Sequence, residues 1–596
     1  MAVNKYDQDE ELNIRVDFSY FSMLKKYVKP HIGVIVIAVL MMFVSAYCEL
    51  LPPYFLSVVL DKCLPEKNYN LLFIIVGLLI AVAVVVCLFM RIRSVITNKM
   101  AMKIIQDIRS DLFAHMQKLP FSFFDSRPHG KILVRVVNYV NSIANLFANG
   151  IIDMITNIFK MFVIIGFMFA MDVKFTLVCL AGFPLFAIVL AIIRRSHMRA
   201  WRKYSAKQSN LNAYLQESIN GMKITQSFAR EEQNAEIFDG LCKENKKYWL
   251  KAAYISLGIP VFVSILSVAT TAVVYGIGVG RIEQGVLRVG TLIAFASYVS
   301  RFWEPVSALT TFYNELINVG SYIERIFQML DEPLIVEDLP NAQPLENVSG
   351  NVKFENVTFA YERGARNILE NVSFEVKSGD RIALVGPTGA GKSTVINLLA
   401  RFYDIQEGKI TIDGNNIAHA TLQSLRTQMG IMLQDSFLFS GSIMDNIRYS
   451  RLDATDEQVI EASKAVCAHE FIMQFPDGYN TYVNEGGTSL SAGQKQLIAF
   501  ARALLADPKI LILDEATSSI DTETEIALQK GLERLLQGRT SFIIAHRLST
   551  IKNSSKIMYI ADKNIAESGT HDELIEKRGR YFELYMAQYK FLEQEM

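Results

Sequence analysis

The fold of the second half of the chain can be inferred from "RIALVGPTGAGKSTVINLLA" (residues 381–400). An apolar run, Ile382–Val385, leads into the pattern G-x-x-x-x-G-K-S from Gly386 to Ser393, and a helical pattern follows. Glycines let backbone N–H groups crowd around phosphate groups, and a helix start adds the positive end of its dipole. The stretch therefore predicts a strand, a phosphate-binding loop and a helix, in which Lys392 meets the terminal phosphates and Ser393 binds Mg²⁺.

A second apolar run supplies acids for the same chemistry. In "KILILDEATSSID" the run Ile510–Leu513 is typical of a buried parallel strand. Asp514 ends this strand and is predicted to hold Mg²⁺ through water. Glu515 follows directly and is predicted to polarise an attacking water.

Two further apolar strands end in polar side chains. "GIMLQD" places Gln434, and "SFIIAHR" places His546, at the edge of a sheet where ligands collect. Tyr361, in "VTFAYE", has two interpretations: it stacks on a base, or it packs in the core. From Val352 onward, short apolar strands alternate with helical patterns, which predicts an α/β domain with a largely parallel sheet.

Apolar runs dominate the first half of the chain. Hydrophobic residues make up 51% of the sequence. The run at Leu71–Phe89 is long enough to cross a hydrocarbon core about 30 Å thick. We predict six membrane-spanning helices; the other runs begin at Gly33 or centre near Phe162, Leu185, Leu266 and Ala296.

Basic residues orient the predicted spans. Cytoplasmic loops of membrane proteins are rich in Lys and Arg, and here basic residues precede the first span and follow the second and fourth. We therefore predict an integral multi-pass protein of the cytoplasmic (cell inner) membrane, with both termini and the long second-to-third and fourth-to-fifth links in the cytoplasm. A short amphipathic piece from Asp17, "DFSYFSMLKKYV", is predicted to lie along the membrane interface.

Charge and cysteine usage exclude other classes of protein. Lys plus Arg equals Asp plus Glu at 60 each, so nothing indicates nucleic acid as a partner. The cysteines form no CxxC pair, and we predict free thiols rather than a metal site or disulfide framework. They are Cys48, Cys63, Cys87, Cys179, Cys242 and Cys467.

These residues together resemble an ATP-binding cassette exporter half-transporter, with six spans followed by one nucleotide-binding domain. The resemblance covers nearly the whole chain and implies ATP and Mg²⁺ as cofactors. It implies that Tyr361 stacks on adenine, that Gln434 is the Q-loop residue and a metal ligand, and that Asp514 and Glu515 are the Walker B pair. It further makes Asp521 the D-loop acid, His546 the switch histidine, and the Walker A loop Gly386, Pro387, Thr388, Gly389, Ala390, Gly391, Lys392, Ser393 and Thr394.

The resemblance also divides the chain into domains. It implies a tail and interfacial helix at 1–30, a transmembrane domain at 31–325, a linker at 326–350 and a nucleotide-binding domain at 351–596. Two cytoplasmic links resemble coupling helices that rest on the nucleotide domains and carry motion to the spans. These are Leu119–Asp125 and Leu215–Phe228.

A second phosphate cradle lies at "LSAGQ", residues 490–494. In the family this signature loop covers the ATP that a second half-transporter chain holds, which makes Ser491, Gly493 and Gln494 the residues that meet the partner's nucleotide. The usual pattern is L-S-G-G-Q, and here Ala492 replaces the first glycine. If that position needs a positive φ, the alanine costs on the order of 1–2 kcal/mol. The preceding loop also differs, because Asn484–Gly487 lacks the family's common arginine.

These two differences favour a heterodimer. The chain resembles the catalytically intact subunit of bacterial heterodimeric multidrug exporters, because it keeps Glu515, Gln434 and His546 but has an altered signature. Its partner would supply the good signature. A homodimer with two adequate sites is the alternative.

Polar residues in the spans are candidate cargo contacts, since they are costly in a membrane. They are Glu49 in the first span and Asn314 and Glu315 near the end of the sixth. The alternative for each is an interhelical hydrogen bond or an interface acid. We predict ATP-driven export of lipophilic or amphipathic small molecules by alternating access; a lipid or peptide exporter, or an ATP-regulated channel, remains open.

Overall fold

The computed structural model describes residues 18–588 except 126, 128, 181–182, 362–363, 365, 433–435, 515–521 and 546; at some helical positions, including 183–195 and 314, only the backbone is described. The chain forms two compact units. The first contains Met1–Gln117 and His129–Glu332, and the second contains Lys118–Pro128 and Pro333–Met596.

The first unit is built of helices. Helix α5 falls in the same part of the sequence but belongs to the second unit. Short π-helical turns at Val59–Cys63, Arg135–Tyr139 and Leu146–Gly150 interrupt the helices of the first unit. The helices are α1 Lys25–Val28, α2 Ile32–Glu49, α3 Leu51–Val58, α4 Tyr69–Met116, α5 Phe121–Asp125, α6 His129–Val134, α7 Val140–Asn145, α8 Ile151–Met171, α9 Val173–Leu180, α10 Phe183–Asn220, α11 Met222–Ser227, α12 Glu231–Glu283 and α13 Val289–Leu330.

Several helices are long and apolar enough to cross a membrane. Within the described residues these are the stretches Tyr20–Cys63, Tyr69–Met116, Ile132–Met171 and Glu231–Glu283. The predicted fourth span falls in α10, where side chains are not described. The predicted sixth span is α13, which carries charged residues within its apolar stretch.

Carboxylates join the helices at their outer ends, which are the ends opposite the predicted cytoplasmic links. Asp61 accepts hydrogen bonds from the backbone N–H groups of Gly290 (2.6 Å) and Thr291 (2.9 Å), which begin α13. Asp172 forms an ion pair with Arg281 at 2.8 Å. The helix start leaves N–H groups without intrahelical partners, and Asp61 satisfies two of them.

The predicted interfacial piece is split. Phe18–Ser22 is a 3₁₀ turn, and α1 follows it. Lys26 and Tyr27 of α1 both bind Asp111 of α4, at 2.6 and 2.9 Å. The cysteines whose side chains are described (Cys48, Cys63, Cys87, Cys242 and Cys467) are free thiols, as predicted.

A six-stranded sheet forms the centre of the second unit. Its order is β12-β11-β3-β10-β9-β6; neighbours from β11 to β6 run parallel and β12 is antiparallel. A second sheet has the order β2-β1-β4-β5, and β7 pairs with β8. The strands are β1 Val352–Phe359, β2 Leu369–Val376, β3 Arg381–Val385, β4 Glu407–Ile412, β5 Asn415–Asn416, β6 Met429–Met432, β7 Gly441–Ser442, β8 Tyr482–Val483, β9 Ile510–Asp514, β10 Thr540–Ile544, β11 Lys556–Ala561 and β12 Asn564–Gly569.

The parallel strands are largely apolar and almost entirely buried, as expected where both faces of a sheet are covered. All five residues of Thr540–Ile544 are buried. The α-helices that follow β3 in the second unit are α14 Lys392–Leu399, α15 Leu422–Thr427, α16 Ile443–Arg448, α17 Asp456–Ala465, α18 His469–Ile472, α19 Ala492–Leu505, α20 Thr522–Leu536, α21 Leu548–Lys552, α22 His571–Lys577 and α23 Arg580–Gln588.

Candidate nucleotide-binding site

The loop between β3 and α14 has a backbone that only glycine accommodates easily. Gly386 and Gly391 have φ values of 139° and 105°. A Cβ on Gly386 would overlap the backbone carbonyl oxygen of Ile560, and one on Gly391 would lie 3.0 Å from Leu369 Cδ2. A tight loop of this kind lets backbone N–H groups converge on a phosphate.

Lys392 lies over this loop. Its Nζ donates hydrogen bonds to the carbonyl oxygens of Gly386 (2.7 Å) and Pro387 (2.9 Å). Burial lowers the pKa of Lys392 from its ordinary value, whereas the charge of Asp514 acts in the opposite direction. An ammonium held by two neutral carbonyls gains a stronger acceptor when a phosphate arrives.

The register of the central sheet brings the predicted strand ends to one edge. Asp514 pairs with Ile544 of β10, and Leu513 pairs with Met432 of β6. Three carboxyl ends therefore lie side by side, next to the loop after β3. Gln434, Glu515, Asp521 and His546 follow these ends in the sequence and lie outside the described residues.

Tyr361 lies beside the loop. Its hydroxyl is 3.0 Å from Thr394 Oγ1, and the side chain of Thr394 is buried. Tyr361 is 43% exposed and meets the rings of Phe359 and Tyr403 edge-to-face. Partial exposure of the ring argues against the core-packing interpretation and leaves surface on which a base can stack.

The geometry fits a nucleoside triphosphate with Mg²⁺. Among the described residues, no side chain caps the start of α14, so its first N–H groups are available to phosphate oxygens. Ser393 is exposed in the first turn of α14, and Asp514 ends β9 at the same sheet edge. Mg²⁺ bound by oxygen ligands such as these would neutralise charge on the phosphates.

The signature loop begins with a complete capping box. Ser491 Oγ accepts a hydrogen bond from the Gln494 N–H (3.2 Å), and Gln494 Oε1 accepts one from the Ser491 N–H (3.0 Å). Ala492 is the first residue of α19 and is not among the residues with positive φ. Ala492 therefore has no left-handed backbone strain. Alanine is also a favourable residue in a helix.

The loop before the signature is built on two adjacent glycines with positive φ. Gly486 has a φ of 69° and Gly487 one of 63°. A Cβ on Gly487 would lie 2.9 Å from Cδ1 of the buried Leu438, whereas nothing lies within 4 Å of one on Gly486. The conformation thus requires glycine most strongly at Gly487.

Helix α5 lies within the second unit, where two of its side chains contact residues near the phosphate-binding loop. The rings of Phe121 and Phe402 have centroids 4.2 Å apart. Tyr403 donates its hydroxyl to Asp125 Oδ2 at 2.7 Å, and burial followed by this hydrogen bond raises the pKa of Tyr403. Because Tyr403 also touches Tyr361, side chains connect α5 to the phosphate-binding loop.

In the helical unit, Glu49 has a basic neighbour that the sequence analysis missed. Lys160 Nζ of α8 lies 2.7 Å from Glu49 Oε2. Among the residues that the structure describes, the buried Oε2 accepts no hydrogen bond and has this ion pair alone. Glu315 is half-buried in α13, and the Asn314 side chain is not described. A lone lysine in the apolar run around Phe162 was the available signal for Lys160.

Comparisons with known proteins agree with both units. A family model described as the ABC transporter transmembrane region matches residues 35–306, and one described as ABC transporter matches residues 369–518. An uncharacterized ABC transporter ATP-binding protein of Bacillus subtilis is 41% identical over 590 residues, which covers 98% of this chain and 97% of that protein.

Two other relatives carry names that state a function. A probable multidrug resistance ABC transporter ATP-binding/permease protein of Bacillus subtilis is 38% identical over 493 residues, covering 82% of this chain and 72% of the relative. An ATP-dependent lipid A-core flippase of Desulfotalea psychrophila is 35% identical over 553 residues, which covers 93% of this chain and 96% of the relative.

Proposed function

This chain belongs to the ATP-binding cassette (ABC) transporter family, and from that premise we propose that it exports lipophilic or amphipathic small molecules by alternating access. It is an ATP-hydrolysing exporter and an integral membrane protein with a cytoplasmic ATP-binding domain. We also propose a tail and interfacial helix at 1–30, a transmembrane domain at 31–325, a linker at 326–350 and a nucleotide-binding domain at 351–596.

One observation carries the proposal: a helical unit with apolar membrane-length stretches and a phosphate-binding unit occur in one chain. The names of the relatives, a multidrug resistance transporter and a lipid A-core flippase, support an amphipathic cargo over a hydrophilic one. A lipid exporter of the same architecture is the second candidate, and the flippase favours it.

We assign roles in ATP hydrolysis as follows. Lys392 and the loop from Gly386 to Thr394 bind the phosphates, and Ser393, Asp514 and Gln434 hold Mg²⁺. Glu515 polarises the attacking water, with His546 beside it, and Tyr361 stacks on adenine. Asp521 lies at the contact with the second chain.

Exporters of this family act as dimers, and we propose that the partner is a different chain. The start of α19 presents Ser491 and Ala492 to solvent, so it is free to meet a partner's nucleotide. A methyl group at Ala492 limits how closely the backbone approaches a γ-phosphate, and Gly486 stands where the family commonly has arginine. Both differences lie in the surface that would cover the partner's ATP.

The test is ATP hydrolysis by this chain purified alone in lipid nanodiscs, with Glu515→Gln as the blank. We expect little turnover alone and full turnover after a partner chain is added. Robust turnover by a stable particle of two identical chains would establish a homodimer instead. Accumulation of cargo against a gradient in inverted vesicles separates an exporter from an ATP-regulated channel.

Ala492→Gly tests, in the assembled transporter, whether Ala492 weakens the contact of the signature loop with the partner's ATP. We expect tighter ATP occlusion at the site that this signature covers, because the backbone comes closer to the γ-phosphate. Unchanged nucleotide occupancy and unchanged turnover would show that Ala492 is a tolerated variation.

A further inference from the structure

Three charged residues lie at one depth among the membrane helices. Each stands 12 residues along the chain from the predicted outer end of its membrane-crossing stretch. At about 1.5 Å per residue this is about 18 Å, near the middle of a core about 30 Å thick. The charged residues and the residues at the outer ends are Glu49 and Asp61, Lys160 and Asp172, and Arg301 and Val289.

Glu49, Lys160 and Arg301 form a charged layer, in which Arg301 is hydrogen-bonded to the backbone of the first span. Its Nη1 donates a hydrogen bond to the Glu49 carbonyl oxygen at 3.0 Å. Pro53, four residues after Glu49, has no N–H to offer that carbonyl, so Arg301 replaces the missing helical donor. Tyr298, one turn earlier on α13, donates to the next carbonyl, that of Leu50, at 2.8 Å.

The hydrogen bond to Glu49 occupies one N–H group of the Arg301 guanidinium and leaves the others available. Among the described residues, the Glu49 carbonyl is its one acceptor, and no carboxylate lies within ion-pair distance of Arg301. A guanidinium has five N–H donors. The Glu49 carboxylate is already neutralised by Lys160, so the three charged groups carry a net charge of +1. A charge in this environment requires a partner of opposite sign.

Tyr298, one turn from Arg301 on α13, belongs to a cluster of aromatic rings. Phe167 lies between the rings of Tyr47 (5.8 Å) and Tyr298 (5.5 Å), with Tyr54 at 6.4 Å. Tyr47 is 48% and Tyr54 is 43% exposed on the helical unit. A cation beside exposed aromatic surface matches a ligand with an anionic group and an apolar body.

We propose that Arg301, held in place by the Glu49 carbonyl and flanked by the Glu49–Lys160 ion pair, binds the anionic group of an amphipathic cargo. This inference rests on the proposed export function and narrows its substrate class. The lone Glu304, exposed one turn farther along α13, is not paired with Arg301 and is outside the site.

The test uses the assembled transporter in nanodiscs and three amphiphiles with the same twelve-carbon chain: a sulfonate, a trimethylammonium and a maltoside. ATP hydrolysis is measured against the concentration of each. We expect the sulfonate to stimulate at the lowest concentration. Preference for the trimethylammonium, or equal response to all three, overturns the inference while export of amphiphiles stands.

Variants locate the effect. Arg301→Gln can still donate to the Glu49 carbonyl but has no charge, and it should raise the half-maximal concentration of sulfonate about tenfold or more without shifting that of maltoside. Arg301→Lys should restore most of the sulfonate response. Lys174→Gln, which removes an exposed positive charge elsewhere, and Glu304→Gln should not weaken it.

Equal shifts for all three head groups in Arg301→Gln would mean that Arg301 is structural only, and the inference would fail. If no amphiphile stimulates the wild-type protein and none is transported, the proposed function itself falls, and the inference falls with it.

Discussion

The hydroxyl of Tyr403 donates a hydrogen bond to Asp125 Oδ2 at 2.7 Å, which ties helix α5 to the aromatic residues beside the phosphate-binding loop. Tyr403 meets Tyr361 edge-to-face at 5.0 Å, and Tyr361 reaches Thr394 in the first turn of α14. A shift of α14 when nucleotide binds therefore has a physical route to α5 through packed side chains.

Tyr403→Phe should weaken the link between nucleotide and α5 while keeping the ring. A hydrogen bond of this kind is worth about 0.5–1.5 kcal/mol. We expect the ratio of cargo-stimulated to basal ATP hydrolysis to fall about two- to tenfold. Tyr482→Phe is the matched control, because its ring is 66% exposed. An unchanged ratio in Tyr403→Phe would show that α5 is coupled by Phe121 and its neighbours alone.

Tyr361 should contribute to ATP affinity through its ring rather than its hydroxyl. Stacking of a base on an aromatic side chain is worth about 1–3 kcal/mol. Tyr361→Ala should therefore weaken binding of a fluorescent ATP analogue about tenfold to a hundredfold. Tyr361→Phe keeps the ring and loses the contact with Thr394, and should stay close to wild type. Equal losses in both variants would place the effect on the hydroxyl.

Gly487 should tolerate substitution less well than its neighbour Gly486. Both have positive φ, which costs an alanine on the order of 1–2 kcal/mol. A Cβ on Gly487 additionally meets the buried Leu438 at 2.9 Å, whereas one on Gly486 meets nothing within 4 Å. We expect Gly487→Ala to lower the midpoint of thermal unfolding more than Gly486→Ala. The reverse order would contradict the described loop conformation.

Asp413 should make the nucleotide-binding unit sensitive to acid. Its carboxylate accepts hydrogen bonds from the backbone N–H groups of Ser349, Gly350 and Asn351 at 2.7–3.1 Å. Burial alone raises the pKa of Asp413, but these hydrogen bonds outweigh it and hold the pKa below its ordinary value. The carboxylate therefore stabilises the fold above about pH 4, and this stability is lost as the pH falls through the lowered pKa.

Asp413→Asn should accordingly unfold at a lower temperature than wild type at pH 7, by about 1–3 kcal/mol in the free energy of unfolding. The difference should shrink below about pH 4, where the wild-type carboxylate gains its proton. Thermal unfolding followed from pH 3 to 8 measures this, with the exposed Asp453→Asn as control. A difference that does not depend on pH would point to lost packing instead.

Local patterns were sufficient for the architecture and for the strand, loop and helix that contain Gly386 to Ser393. The spacing of Gly386, Lys392 and Ser393 after an apolar strand predicted the loop, and the apolar run Ile510–Leu513 predicted a buried parallel strand. Both predictions depend on neighbours within a few residues. The condition stated for strain at Ala492, a positive φ, is not met. Its φ depends on where α19 begins, and that is set by the capping box of Ser491 and Gln494.

Pairs of residues far apart in the sequence could not be obtained in this way. Lys160 meets Glu49 across 111 positions, and Tyr403 meets Asp125 across 278. Neither pair leaves a periodic signal, since one polar residue among apolar neighbours looks the same whether or not it has a partner. Motifs therefore specified the chemistry of the nucleotide site, where the ligand meets contiguous backbone. Among the residues that the structure describes, packing of the helices gives the charge of Glu49 an ion-pair partner and that of Arg301 none, because charge balance in a membrane depends on three-dimensional neighbours.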